Sequence, residues 1–169
     1  MIAFLSRLTR SNQAYYKPVM NQPPFQDHNH NSAYQILNQT KRQPIVVVVT
    51  VKKDGVGLQK LFSQLKQQTT PPDCFVVTVA ADSDADLTWQ TAKKLASRKF
   101  KILSQRQANL TRSAGRNLGV KLALKYFDQP ILAFTDVGCD PTSSWLAELT
   151  QPFFTQKNVE LASGLTLVK

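Results

Sequence analysis

Long apolar runs are absent from this chain. None approaches the roughly 20 residues that span a bilayer, and Ile45 to Val49 is only a strand's worth. The apolar start at Met1 to Ser6 is too short for a signal-peptide core and is interrupted at once by Arg7 and Arg10. Cysteine is scarce. Cys74 and Cys139 form no CxxC pair and have no histidine at metal spacing, which argues against a disulfide framework and a zinc site. The expectation is a soluble cytoplasmic chain with reduced thiols, with peripheral contact at the inner membrane face left open. Acidic residues are also few: 11 against 21 basic ones give a formal net charge of +10. That balance favours a polyanionic partner, whether nucleic acid, lipid head groups or a diphosphate.

Glycine is sparse where nucleotide loops need it. Gly55-Val56-Gly57 follows a strand-like run, but Lys60 stands where GxGxxG has its third glycine, and no Gly-Lys-Ser/Thr occurs. An ordinary strand-to-helix turn is the better reading. Asp82-Ser83-Asp84-Ala85-Asp86 opens like a calcium loop. Leu87 and Lys93 then occupy the positions of the required glycine and acid, so an EF-hand is excluded. His28 and His30 sit in a polar Asn/Gln-rich tract and read as incidental.

Two regions emerge. Residues 1–43 are rich in Asn and Gln, carry Pro18, Pro23 and Pro24, and show no sustained period. Such a segment buries too little apolar surface to offset its ordering entropy and reads as a flexible tail. Residues 44–169 are orderly. Strands are expected at Ile45 to Val51, Phe75 to Ala80, Lys101 to Gln105, Ile131 to Thr135 and Leu161 to Val168. Helices are expected at Gly55 to Gln68, Leu87 to Arg98, Ser113 to Phe127 and Ser143 to Phe154, the third with Leu118, Leu122 and Tyr126 along one face. This alternation predicts an α/β fold with a mostly parallel sheet and flanking helices. Ligands of such sheets sit beyond the carboxyl ends of the strands.

Three segments at those ends carry candidate chemistry. Asp82 follows the second strand, where a carboxylate can accept hydrogen bonds from a nucleobase or ribose, and Asp86 suits an N-cap. Arg112 and Arg116 lie four apart near a helix start, where the dipole disfavours cations. A bound diphosphate would compensate them, taking backbone N–H groups and guanidinium forks together; a solvated basic face, as expected for Lys121 and Lys125, is the alternative. Asp136 directly follows the fourth strand, where a hard divalent cation could bridge it to phosphate oxygens. Asp140-Pro141 reads as an N-cap with proline at N1, and Trp145 and Leu146 as core residues.

Taken in order, these pieces resemble family 2 glycosyltransferases. The resemblance is carried by the apolar first strand, the acidic turn after the second, Ala114-Gly115-Arg116-Asn117-Leu118-Gly119, and Thr135-Asp136-Val137-Gly138-Cys139-Asp140-Pro141 with Trp145-Leu146 beyond. It covers about Pro44 to Lys169 and implies a GT-A fold, a nucleoside-diphosphate sugar donor and inverting transfer to an acceptor hydroxyl. By resemblance, Asp82, Arg112, Arg116, Asn117 and Asp136 face the donor, and Asp136 is the first acid of a DxD motif holding Mn or Mg. Ala81 and Gly138 depart from the pattern, Gly138 at the motif's second acid. The family's general base and its acceptor-side Arg-Trp motif have no counterpart up to Lys169, so a donor-side part of such an enzyme is expected. A non-catalytic binding or regulatory module on the same fold is the alternative. Nucleic acid is not expected, because the basic residues are scattered and lack interleaved aromatics.

Overall fold

The computed structural model describes residues 4–7, 43–80, 87–97 and 100–164. Strands β1 (Phe4–Arg7), β2 (Ile45–Val51), β3 (Cys74–Ala80), β4 (Ile102–Gln107), β5 (Ile131–Asp136) and β6 (Leu161–Ser163) form one sheet, in the order β4-β3-β2-β5-β1-β6. Four of them, β4, β3, β2 and β5, pair in parallel, while β1 is antiparallel to both β5 and β6. Helices α1 (Gly55–Leu65), α2 (Leu87–Leu95), α3 (Arg112–Tyr126) and α4 (Trp145–Thr155) alternate with the strands. The expected α/β architecture with a parallel sheet is what the chain adopts.

The β2 run of β-branched residues is buried throughout because both faces of the sheet are covered. Its alternate side chains enter two cores. Ile45, Val47 and Val49 join α1, α2 and α4 on one face, through Leu58, Phe62, Ala92 and Leu146. Val46 and Val48 join Val76, Leu132 and Ala123 under α3 on the other. Each such buried aliphatic side chain contributes about 1.5–3 kcal/mol relative to exposure. Leu146 is fully buried and Trp145 packs against the same core, as expected.

The chain moves outward from β2 through β3 to β4, then returns to place β5 on the other side of β2. Right-handed crossovers in opposite directions put their helices on opposite faces, which is why α3 covers the face opposite α1 and α2. The order therefore reverses between β2 and β5. That crevice is where open α/β sheets take their ligands.

Two expectations need correcting, and one gains detail. Phe4–Arg7 lie in the sheet, with Leu5 opposite Ala133 and Ala162, rather than in a tail. Four residues carry too little pattern to signal a strand, and their neighbours supply the pairing. Residues 8–42, with His28 and His30, fall outside the described set, as do 165–168 of the expected last strand. The detail concerns α3, which buries Gly115, Gly119, Val120 and Ala123, while Leu118, Leu122 and Tyr126 are half-buried, Leu122 and Tyr126 packing against the same core. Periodicity counts large side chains, whereas this helix approaches the sheet through its small ones. Finally, Asp140 does not cap α4. Ser144 holds the N-cap position without a side-chain bond, and Asp140 accepts from Gln64 Nε2 and lies 3.7 Å from Lys60 Nζ.

Candidate functional site

The site is built by the close approach of α3 to the sheet. A Cβ added at Gly115 would lie 2.4 Å from Thr50 Cγ2, and one at Gly119 would lie 2.5 Å from Val48 Cγ1. Only glycine permits that distance. With the helix this low, Arg116, the next residue, reaches the carboxyl end of β5 and donates from Nη2 to Asp136 Oδ2 at 2.7 Å. The Arg116 side chain is 34% exposed and that of Asp136 only 5%. The pair joins a buried carboxylate to a guanidinium with one side still open to solvent.

Register extends the site across the sheet. Asp136 pairs with Thr50, Thr50 with Thr78 and Thr78 with Gln105, so four polar side chains share one rung and one face. Thr50 and Thr78 are buried, their hydroxyls 3.1 Å apart, and Thr78 Oγ1 also lies 3.4 Å from the Val49 carbonyl. This rung escaped the sequence reading. Its only signal was a lone threonine near the end of each apolar strand, and strand pairing was needed to align them.

Thr111 caps α3, its side chain accepting from Ala114 N at 3.1 Å. The N–H groups of Arg112 and Ser113 in this first turn have no intrahelical acceptor. Arg112 and Asn117 are exposed on α3, and among the described residues no acid pairs with Arg112. The structure thus brings Arg116 and Asp136 together and sets Arg112 one turn away. Asp82, with the rest of the acidic turn at 81–86, lies outside the described residues, and so does the expected cap Asp86. Across the crevice, Asp54 caps α1 by accepting from Gly57 N at 2.7 Å. That N–H is therefore occupied, and Gly55 to Gly57 form the first turn of α1.

The loop after β5 accounts for the glycine at position 138. Cys139 N donates to the Asp136 carbonyl at 3.2 Å, closing a four-residue turn, and Gly138 has φ +89° at its third position. A type II turn requires positive φ there, which L-residues adopt at a cost. No heavy atom lies within 4 Å of a Cβ placed on Gly138, so backbone conformation rather than space selects glycine.

Whether these residues suit a divalent cation turns on Asp136. Its Oδ1 is buried and has no hydrogen-bond partner. An unmatched buried acceptor costs about 1–3 kcal/mol, and more when charged. A hard cation would satisfy that oxygen. Among the described residues, however, no three His, Cys, Asp or Glu side chains cluster. The fit is therefore to an ion that takes one protein carboxylate and most of its oxygens from phosphates and water, as Mg²⁺ commonly does.

A parallel α/β sheet with a charged site at its switch point is compatible with a Rossmann-like glycosyltransferase fold. No family model matches the chain. Over 94 residues, 55% of this chain, it is 32% identical to a protein named validoxylamine A glucosyltransferase from Streptomyces hygroscopicus subsp. limoneus. The aligned region covers 20% of that relative's length. The chain is thus similar, at a distance, to part of a glycosyltransferase. Among the described residues no helix is long and apolar enough to cross a membrane.

Proposed function

We propose that this chain is the donor-binding part of an inverting, family 2 (GT-A type) glycosyltransferase, taking a nucleoside-diphosphate sugar for transfer to an acceptor hydroxyl. The observation that carries the reading is the Arg116–Asp136 pair at the carboxyl edge of the β2/β5 switch point. The likeness to a named glucosyltransferase supports it independently.

In such a transfer the acceptor oxygen attacks the anomeric carbon as the bond to the diphosphate breaks, and negative charge develops on the departing diphosphate. Arg112, Arg116 and the first-turn N–H groups of α3 supply positive charge for it. Asn117 would add a side-chain amide to the same side, and Asp82 would receive the nucleoside. A divalent cation, Mn²⁺ or Mg²⁺, would neutralise phosphate charge from Asp136. Catalysis also requires a base for the acceptor hydroxyl, and none of the residues named here has that role.

Titration calorimetry of the folded chain against a panel of nucleoside-diphosphate sugars, with Mn²⁺, tests the proposal. Saturable heat with at least one donor is expected, and loss of that heat in Arg116→Ala. No heat with any donor would sink it. Donor binding without transfer or hydrolysis would instead favour a binding module on the same fold, a reading that Gly138 at the motif's second acid supports.

A further inference from the structure

Asp136 has two oxygens in unequal situations. Oδ2 is held by Arg116 at 2.7 Å, while Oδ1 is buried without a partner. One carboxylate thus meets a permanent protein cation on one side and has unused acceptor capacity on the other. Among the described residues, no second acid stands ready to share an incoming ion. Gly138 lacks a side chain, and Asp140 is engaged by Gln64 and Lys60 on the α1 side. A divalent cation at Asp136 would therefore sit within a few ångströms of the Arg116 guanidinium. In a buried setting that repulsion is only weakly screened.

We propose that Arg116 and a divalent cation are alternative partners of Asp136, so that the chain takes up the cation only when a diphosphate draws Arg116 away. The proposal rests on the donor-binding reading for its ligand class, but the exchange itself concerns only this chain's residues and the ion. Arg116 is suited to it. Its side chain is 34% exposed, and the guanidinium, bonded to one oxygen of the carboxylate, can turn to a phosphate that accepts from it at two oxygens. Its position on α3 is fixed by Gly115 and Gly119 against the sheet, so only the side chain need move. Arg116 then acts as a positioning residue. It orients Asp136 before the ligand arrives, then joins the phosphate while Asp136 receives the metal.

The test measures Mn²⁺ uptake by electron paramagnetic resonance, which reads the ion directly and needs no turnover. The wild type, Arg116→Gln and the double variant Arg116→Gln/Asp136→Asn are compared, each first checked for fold by circular dichroism. Without nucleotide, Arg116→Gln should bind Mn²⁺ at least about tenfold more tightly than the wild type, and the double variant should lose that gain. With uridine or guanosine diphosphate as probe, wild-type uptake should rise beyond that of the probe alone. Equal Mn²⁺ affinity of wild type and Arg116→Gln, or a gain that survives Asp136→Asn, overturns the exchange. Tighter Mn²⁺ binding by Arg116→Gln with no uptake of any nucleoside diphosphate or its sugar by the wild type would keep the competition. It would refute its release by diphosphate, together with the donor-binding reading.

Discussion

Gly115 lies against Thr50 so closely that a single methyl group would overlap it, 2.4 Å from Thr50 Cγ2. Thr50 cannot simply yield. It is buried in the central strand, and its hydroxyl is 3.1 Å from that of Thr78. The contact sets the height of α3 above the sheet and with it the reach of Arg116 to Asp136.

Gly115→Ala should therefore destabilise the fold. Overpacking of this kind costs about 1–3 kcal/mol, against a gain of up to about 1 kcal/mol in helix propensity. A net loss of about 1–2 kcal/mol is expected in denaturant unfolding. Adding Thr50→Ser, which removes the overlapping methyl, should recover at least about half of a loss of that size. Failure of the second change to help would separate the defect from this contact.

Gln68 links the end of α1 to the start of α4. Its Nε2 donates to the Thr142 carbonyl at 2.7 Å, and its Oε1 accepts from Leu146 N at 2.9 Å. Gln68 is buried, so Gln68→Leu strands both backbone groups. At about 1–3 kcal/mol per unmatched group, a loss of about 2–4 kcal/mol is expected. A shift in the urea midpoint with unchanged m-value would register it; a loss below about 0.5 kcal/mol would mean that water replaces the amide.

An acid at position 138 should not be neutral. Gly138→Asp places an L-residue at φ +89°, where about 1–2 kcal/mol of strain is expected although the Cβ has room. Gly138→Asn should cost less, because asparagine tolerates the left-handed region better. Thermal melts of the two variants, ranked Gly, Asn, Asp, check the turn assignment. The reverse order would contradict it.

Arg112 offers a separation of binding from stability. It is exposed on the first turn of α3, and Arg112→Ala should leave the melting temperature unchanged within error. Nucleoside-diphosphate binding should weaken on the order of fivefold, equivalent to about 1 kcal/mol for an exposed charge-assisted contact. The difference between the two proteins should shrink in high salt, as screening predicts. An unchanged affinity would return Arg112 to the solvated face of the helix.

The alternation of strands and helices was legible because β-branched runs and helical spacing record burial one residue at a time. Asp136 was legible in the same way, as the polar residue ending the apolar run of β5. The height of α3 was not. Gly115 and Gly119 look like weak helix positions in sequence, and their value exists only with Thr50 and Val48 beneath them. The rung from Asp136 to Gln105 was hidden for a similar reason, since its members come from four separated strands. Asp140 misled because Asp-Pro is a good helix start locally, while Gln64 and Lys60, distant in sequence, claim its carboxylate.

Local pattern thus determined the α/β class, the caps at Asp54 and Thr111, and the polar residues placed at strand ends, since each depends on near neighbours along the chain. Tertiary structure decided the reversal of strand order between β2 and β5, the entry of Phe4–Arg7 into the sheet, and the pairing of Arg116 with Asp136. Those depend on distances between segments far apart in sequence. The last of them follows from Gly115 and Gly119, which let α3 lie close to the sheet.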